Sequence, residues 1–168
     1  MNDYENSEIH KYLNNTFLSY FDADTQSVIR QVKIPYRKGS GYHTTVTSGA
    51  TGLSTKVFLL SGYETGSWGH SWLPEEGACL EYFPKKETSG YAEAHPNRVA
   101  YRDGVATVWW LRTPVCFSSI GAAQAQIVEA NGAYGFEDCN KAYGIRPAVI
   151  LPNNAQFDSK TLVLKGVK

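Results

Sequence analysis

The residues best suited to nucleophilic or metal chemistry are four histidines and three cysteines, and their spacing supports neither. His10, His43, His70 and His95 stand far apart, with no HxH or HExxH pattern that would bring two imidazoles to one metal. Cys79, Cys116 and Cys139 are odd in number and lack the close pairs of a zinc or redox motif, so they read as buried or idle thiols in a reducing compartment. Gly49 to Lys56 spells GATGLSTK, which resembles a phosphate loop only on the surface. The Gly-Lys-Ser/Thr order that brings lysine and hydroxyl to phosphate and metal is absent, and the stretch precedes a strand instead of following one. There is no GxSxG elbow and no carboxylate pair spaced for glycoside hydrolysis. Asn14-Asn15-Thr16 fits the glycosylation formula, but it falls in an expected helical turn behind no export signal. The expectation is a protein that is not an enzyme, with no catalytic residues, no metal and no cofactor.

What remains is composition and the elements it can build. One domain is expected over residues 1–168, either whole or as part of a longer protein. At 42% apolar and 19% charged, the chain can bury a core. Sixteen basic residues balance sixteen acidic ones, so there is no net field to draw in nucleic acid or anionic lipid. No window approaches the roughly 20 apolar residues of a membrane span, and Met1 to His10 show no signal peptide. Synthesis in the cytoplasm without membrane insertion is expected, with the final place a virion or cell surface if the domain belongs to a larger assembly. Aromatic residues make up 13% of the chain, an excess that suits short strands, turns and an adhesive surface.

Ser7 can cap a helix carrying Ile9, Tyr12 and Leu13, extended by Phe17, Leu18 and Phe21. A second short helix can start at Asp22 or Asp24, before Gln31 to Tyr36 switches to a strand period. Arg37 to Leu53 reads as one long surface loop, Lys56 to Ser61 as a buried strand, and Gly62 to Asn97 as mostly irregular chain. Strands are expected over 98–101, 106–112, 122–129, 133–138 and 145–151, with a last one near 161–164. Asn131-Gly132 predicts a two-residue hairpin turn. The fold class is therefore α+β, two N-terminal helices packed on a mostly antiparallel twisted sheet with long loops.

Trp109-Trp110-Leu111-Arg112-Thr113-Pro114, followed by Tyr143-Gly144-Ile145-Arg146-Pro147-Ala148, is a recognisable pair of motifs. With the Glu8-to-Phe17 helix, Ile34-Pro35-Tyr36 and KVFLLSGYE at Lys56 to Glu64, it resembles an uncharacterised domain family common in gut bacteria and their phages. More distantly, the layout is similar to the C-type-lectin-like fold of formylglycine-generating enzymes and of variable proteins diversified by retroelements. Trp109 and Trp110 point to opposite strand faces, so at least one should be core, while Arg112 and Arg146 suit a clamping role on buried carbonyls or carboxylates. Pro114 and Pro147 fit strand ends or an edge.

A two-residue turn would pair Ile127 with Phe136 and Gln126 with Glu137, and so sort the hairpin into faces. Ala125, Ile127 and Phe136 then face the core, while Gln124, Gln126 and Glu137 form an exposed polar face flanked by 115–120 and 138–141. The resemblance to retroelement-diversified proteins implies ligand contact by Phe117, Ser118, Ser119, Gln124, Gln126, Glu137 and Asn140. Replacing Gln124, Gln126 and Glu137 together by Ala should then leave melting unchanged. The expected function is a binding module that takes a protein or glycan receptor on a cell surface, as a phage tail-fibre or surface-display protein. Two alternatives stand beside it: a virion decoration protein that self-associates through its aromatics, and an oxidase of the formylglycine-generating kind. The second lacks its cysteine pair, because the position five after Cys116 is Gly121.

Overall fold

The computed structural model describes residues 2–67, 72–83, 93–117, 123–158, 160 and 163–167. Ser7 caps the first helix, its Oγ accepting the His10 N–H at 3.1 Å. Helix α1 (Glu8–Tyr12) runs directly into a π-helical turn (Leu13–Phe17) and a 3-10 turn (Leu18–Tyr20). Asn14, inside the wide turn, fastens this segment to the strands. Its Oδ1 accepts from Thr55 Oγ1 and from the backbone N–H groups of Lys56 and Val57, and its Nδ2 donates to His10 O and Val57 O. Both amide hydrogens are spent in this way, so the glycosylation formula at Asn14 describes a packing residue. Helix α2 (Ala23–Val28) starts where expected, with Asp22 Oδ1 accepting the Thr25 N–H at 2.9 Å.

The expected 31–36 strand is split at Pro35 into β1 (Val32–Ile34) and β2 (Tyr36–Arg37). The expected loop from Arg37 to Leu53 holds structure of its own. Strand β3 (Val46–Thr47) pairs with β2, and β4 (Leu53–Thr55) returns to pair with β1. Strands of two or three residues are too short to display a period, which is why composition alone made this stretch look irregular. Strand β5 (Val57–Leu59) is buried at every position, as its continuous apolar run requires.

In the second half, β6 (Ala100–Arg102) and β7 (Val105–Thr107) form a hairpin around Asp103 and Gly104, both at positive φ. The Asp-Gly pair is the signal for that turn, and the sequence reading passed over it. Next come β8 (Trp109–Pro114), β9 (Gln124–Val128) and β10 (Tyr134–Asp138). After Tyr143 the chain lays β11 (Gly144–Ile145) parallel to β8, then β12 (Pro147–Val149) antiparallel to β5. The central sheet thus has the order β10-β9-β8-β11, and among the described residues β11–β8 is the one parallel pair in an otherwise antiparallel α+β fold. A last hairpin joins β13 (Ala155–Phe157) to β14 (Leu164–Val167); residues 161 and 162 of the expected final strand lie outside the described residues.

Strand β8 separates two cores. Trp110 packs with Leu13, Ile34, Val57, Phe58 and Ile127 on the helical side, and Trp109 with Leu111, Val128 and Tyr134 on the other. Both tryptophans are buried, where the alternation argument required only one. Trp109 also donates its indole N–H to Arg98 O at 2.9 Å, so the polar edge of its ring is satisfied in the interior.

Candidate functional site

The frame of the site is built by an irregularity in β8. Pairing with β9 runs Trp109↔Val128 and Trp110↔Ile127, then resumes two residues out of step at Pro114↔Ala125. The intervening residues, 111–113, swing toward β5, where Arg112 N donates to Leu60 O at 3.0 Å. Bulges of this kind re-aim side chains. Here Arg112 is turned inward: its Nη1 reaches Glu64 Oε2 at 2.6 Å and Leu59 O at 2.8 Å, and its Nη2 reaches Glu64 Oε1 at 2.7 Å and Pro35 O at 3.0 Å. This two-pronged ion pair is sealed from water and ties β8 to the chain on either side of β5.

Glu76 completes a second pair of contacts in the same cluster. Its Oε1 accepts the Arg37 N–H at 2.8 Å, and its Oε2 accepts the Thr113 hydroxyl at 2.7 Å. Complete burial pushes the Glu76 carboxyl above its ordinary range, with the Arg112 charge and the two donors pulling the other way. Arg37 donates through Nη2 to Asn2 Oδ1 at 2.9 Å. Two guanidinium groups and two acidic side chains therefore lie together in the interior. The cluster is scaffold, as expected of Arg112. Arg146 is scaffold too, stacked 5.3 Å from Trp109 and 5.7 Å from Phe83. Pro147 opens β12 on an edge, and Pro114 ends β8, where a missing N–H costs nothing.

On this frame sits the β9–β10 hairpin, and here the structure corrects the sequence reading. Gly132 N donates to Glu129 O and Glu129 N to Ala133 O, so the turn spans three residues, 130–132, with Gly132 at φ 85°. The extra residue shifts the register by one: Phe136 faces Gln126, Glu137 faces Ala125 and Asp138 faces Gln124. A slip of one residue moves each side chain of one strand to the other face. Phe136, assigned to the core, is 37% exposed, and Gln126, assigned to the exposed contact set, is completely buried.

Gln126 belongs to the interior for a reason legible in its neighbour. Its Nε2 donates to Ser67 Oγ at 3.1 Å, and its Oε1 lies where a side chain at Gly62 would begin, 1.8 Å from an ideal Cβ there. The expectation that removing Gln124, Gln126 and Glu137 together leaves melting unchanged therefore falls. Gln126→Ala by itself should lower stability by about 2 kcal/mol in urea denaturation, because it removes a buried hydrogen bond and leaves a hole above Gly62. Gln124→Ala should cost well under half of that.

The remaining candidates do not form one group. Phe117 is partly exposed and meets Trp72 edge-on, ring centroids 5.3 Å apart. Gln124 lies on the Phe136 face, its Nε2 donating to Asp138 Oδ1 at 2.9 Å. Glu137 lies on the opposite face beside Ala125, and Asn140 is exposed in the turn after β10. Ser118 and Ser119 lie outside the described residues. Cys116, the reference point for the oxidase alternative, is buried; its thiol is directed at His43 O, and burial pushes its pKa up, opposite to what a metal ligand or nucleophile needs.

What the structure brings together is aromatic. Phe136 stands edge-on to the same indole, 5.9 Å from Trp72 at 82°, so Trp72 bridges Phe117 and Phe136. Three rings from three separate segments converge beside the Gln124–Asp138 pair. Phe136 and Asp138 were missing from the sequence-derived contact set, and Trp72 stood outside it, as one of the 68–91 loop aromatics that could supply recognition. Trp72 stands in a stretch without period, and the other two were hidden by the register. The correct turn length would have placed Phe136 and Asp138 on the Gln124 face.

A family model described as "Domain of unknown function (DUF6273)" matches residues 1–153. That span takes in the ion cluster, the aromatic face and both the Trp109–Pro114 and Tyr143–Ala148 motifs, and it stops before the β13–β14 hairpin. No curated protein and no solved structure matches the chain.

Proposed function

We propose that this chain, which belongs to the DUF6273 family, is a non-enzymatic recognition module of C-type-lectin-like design. In this reading it takes a receptor on a cell surface through the face formed by Trp72, Phe117 and Phe136. The observation that carries the reading is the convergence of three partly exposed rings, supplied by three segments. Exposed aromatic clusters of this kind mark interaction sites, and rigid aromatic anchors lose little entropy on binding. Near-zero net charge fits recognition by shape and local contacts in place of long-range steering. A phage tail fibre or a displayed surface protein is the setting that suits such a module.

The test is binding of the fluorescently labelled protein to a panel of intact gut bacterial cells. Saturable binding to a subset of strains is expected, and Phe117→Ser/Phe136→Ser should weaken it at least tenfold while the melting temperature stays within a few degrees of the parent. Equal binding by parent and variant would remove the face from the account.

A further inference from the structure

We infer that the group this face takes is an alkylammonium cation, presented as a lysine side chain on a protein receptor. The inference rests on the recognition reading above and supplies its ligand chemistry. Trp72 makes steep angles with Phe117 and Phe136, 66° and 82°, so the three form walls at differing orientations, not a flat stack. Ring faces carry the negative end of the aromatic quadrupole, and walls of this sort suit a compact cation with an apolar stem.

The polar groups beside the rings have the matching sign. Asp138 lies on the same strand face as Phe136, two residues along and so about 7 Å away at strand rise. Gln124 is opposite it, and its hydrogen bond fixes which way the amide points: a carboxylate only accepts, so the nitrogen faces Asp138 and Oε1 is left over. That Oε1 is buried without a partner, as is the Oε1 of Gln126 opposite Phe136. The Gln126 oxygen packs inward against Gly62, so the negative group of this face is the Asp138 carboxylate, held in place by the Gln124 amide. Glu75, exposed three residues after Trp72, is a further acidic residue of the Trp72 segment, with Lys141 the cation next in the chain after the hairpin.

This asymmetry selects among ligands. A sugar hydroxyl both donates and accepts, and Asp138, which only accepts, would leave its oxygen without a donor. A guanidinium is served best by two carboxylate oxygens side by side, and one oxygen of Asp138 is already engaged by Gln124. An ammonium on a four-carbon stem needs one carboxylate and apolar walls, which is what these residues provide.

The experiment is a nuclear magnetic resonance titration of the isotope-labelled protein with Nα-acetyl-lysine N-methylamide. Its neutral norleucine analogue and methyl N-acetylglucosaminide serve as controls. The lysine compound should shift the Trp72 indole and the Phe136 and Asp138 amides saturably in the millimolar range. The norleucine analogue should bind at least about fivefold more weakly. Asp138→Asn, which keeps the side-chain volume, should weaken the lysine compound at least threefold and leave norleucine unchanged. Equal binding of lysine and norleucine compounds would overturn the cation while leaving an apolar recognition face standing. Preferential shifts with the glycoside, or no shifts at these residues with any compound, would overturn it as well. The recognition reading itself is decided separately, by cell binding of the Phe117/Phe136 variant.

Discussion

Arg112→Met should lower the stability of the domain by about 3–5 kcal/mol, the largest loss expected for any conservative change away from the exposed face. Methionine nearly fills the volume of the arginine stem, so the loss is not one of packing. It arises because Glu64, with its carboxylate buried beside β5, would lose its charged partner. The carbonyls of Leu59 and Pro35 would also lose their donors. Removing both ions in Arg112→Met/Glu64→Leu should recover a large part of the loss, since a buried pair stabilises much less than a broken pair destabilises. Urea denaturation of the two variants reads this difference directly. A loss below about 1 kcal/mol for Arg112→Met would place the pair in contact with water, as surface pairs behave, and would remove the rigid frame from the account.

Gly132→Ala should be nearly as damaging, although it adds a single methyl group. The residue sits at φ 85°, a conformation that costs an L side chain about 1–2 kcal/mol. A Cβ there would also stand 2.2 Å from the carbonyl oxygen of His95, which is backbone and cannot rotate away. Relief requires the hairpin tip to lift from the turn at His95. That movement would break the bond from Arg98 Nε to Gly132 O at 2.8 Å and disturb the guanidinium stacked 4.4 Å over Tyr134. A total above about 3 kcal/mol is expected, in the range reserved for strain combined with lost buried contacts. Thermal unfolding of Gly132→Ala beside Gly104→Ala supplies the comparison. Gly104 also has positive φ, but an added Cβ meets nothing within 4 Å, so only the conformational cost should appear there.

These two residues also show where the sequence was legible. Arg112 stands in a strand whose apolar neighbours announced it, and a charged residue inside such a run must be paired, so its clamping role could be read without coordinates. The capping residues Ser7 and Asp22, the buried strand β5 and the opposed tryptophans were legible for the same reason: each is a local rule applied to adjacent residues. Gly132 is the counterexample. Asn131-Gly132 announces a turn but does not fix whether two or three residues lie between the strands, and the single residue at issue decides which face every following side chain occupies. Phe136 and Gln126 exchanged roles on that account. The two-residue shift inside β8 was hidden for a related cause, because a bulge leaves no period to detect. Trp72 reaches the site through tertiary packing alone, which no local pattern encodes.

The central claim is that recognition belongs to the face shared by Phe136, Trp72 and Phe117. The most direct measurement compares two neighbours on one strand, Phe136→Ser and Glu137→Ser, for binding to the cells that the parent protein recognises. Their side chains point to opposite faces of the same hairpin. Loss of binding at least tenfold for Phe136→Ser, with Glu137→Ser binding like the parent, is the predicted result. Loss with Glu137→Ser and retention with Phe136→Ser would contradict it and place recognition on the other face.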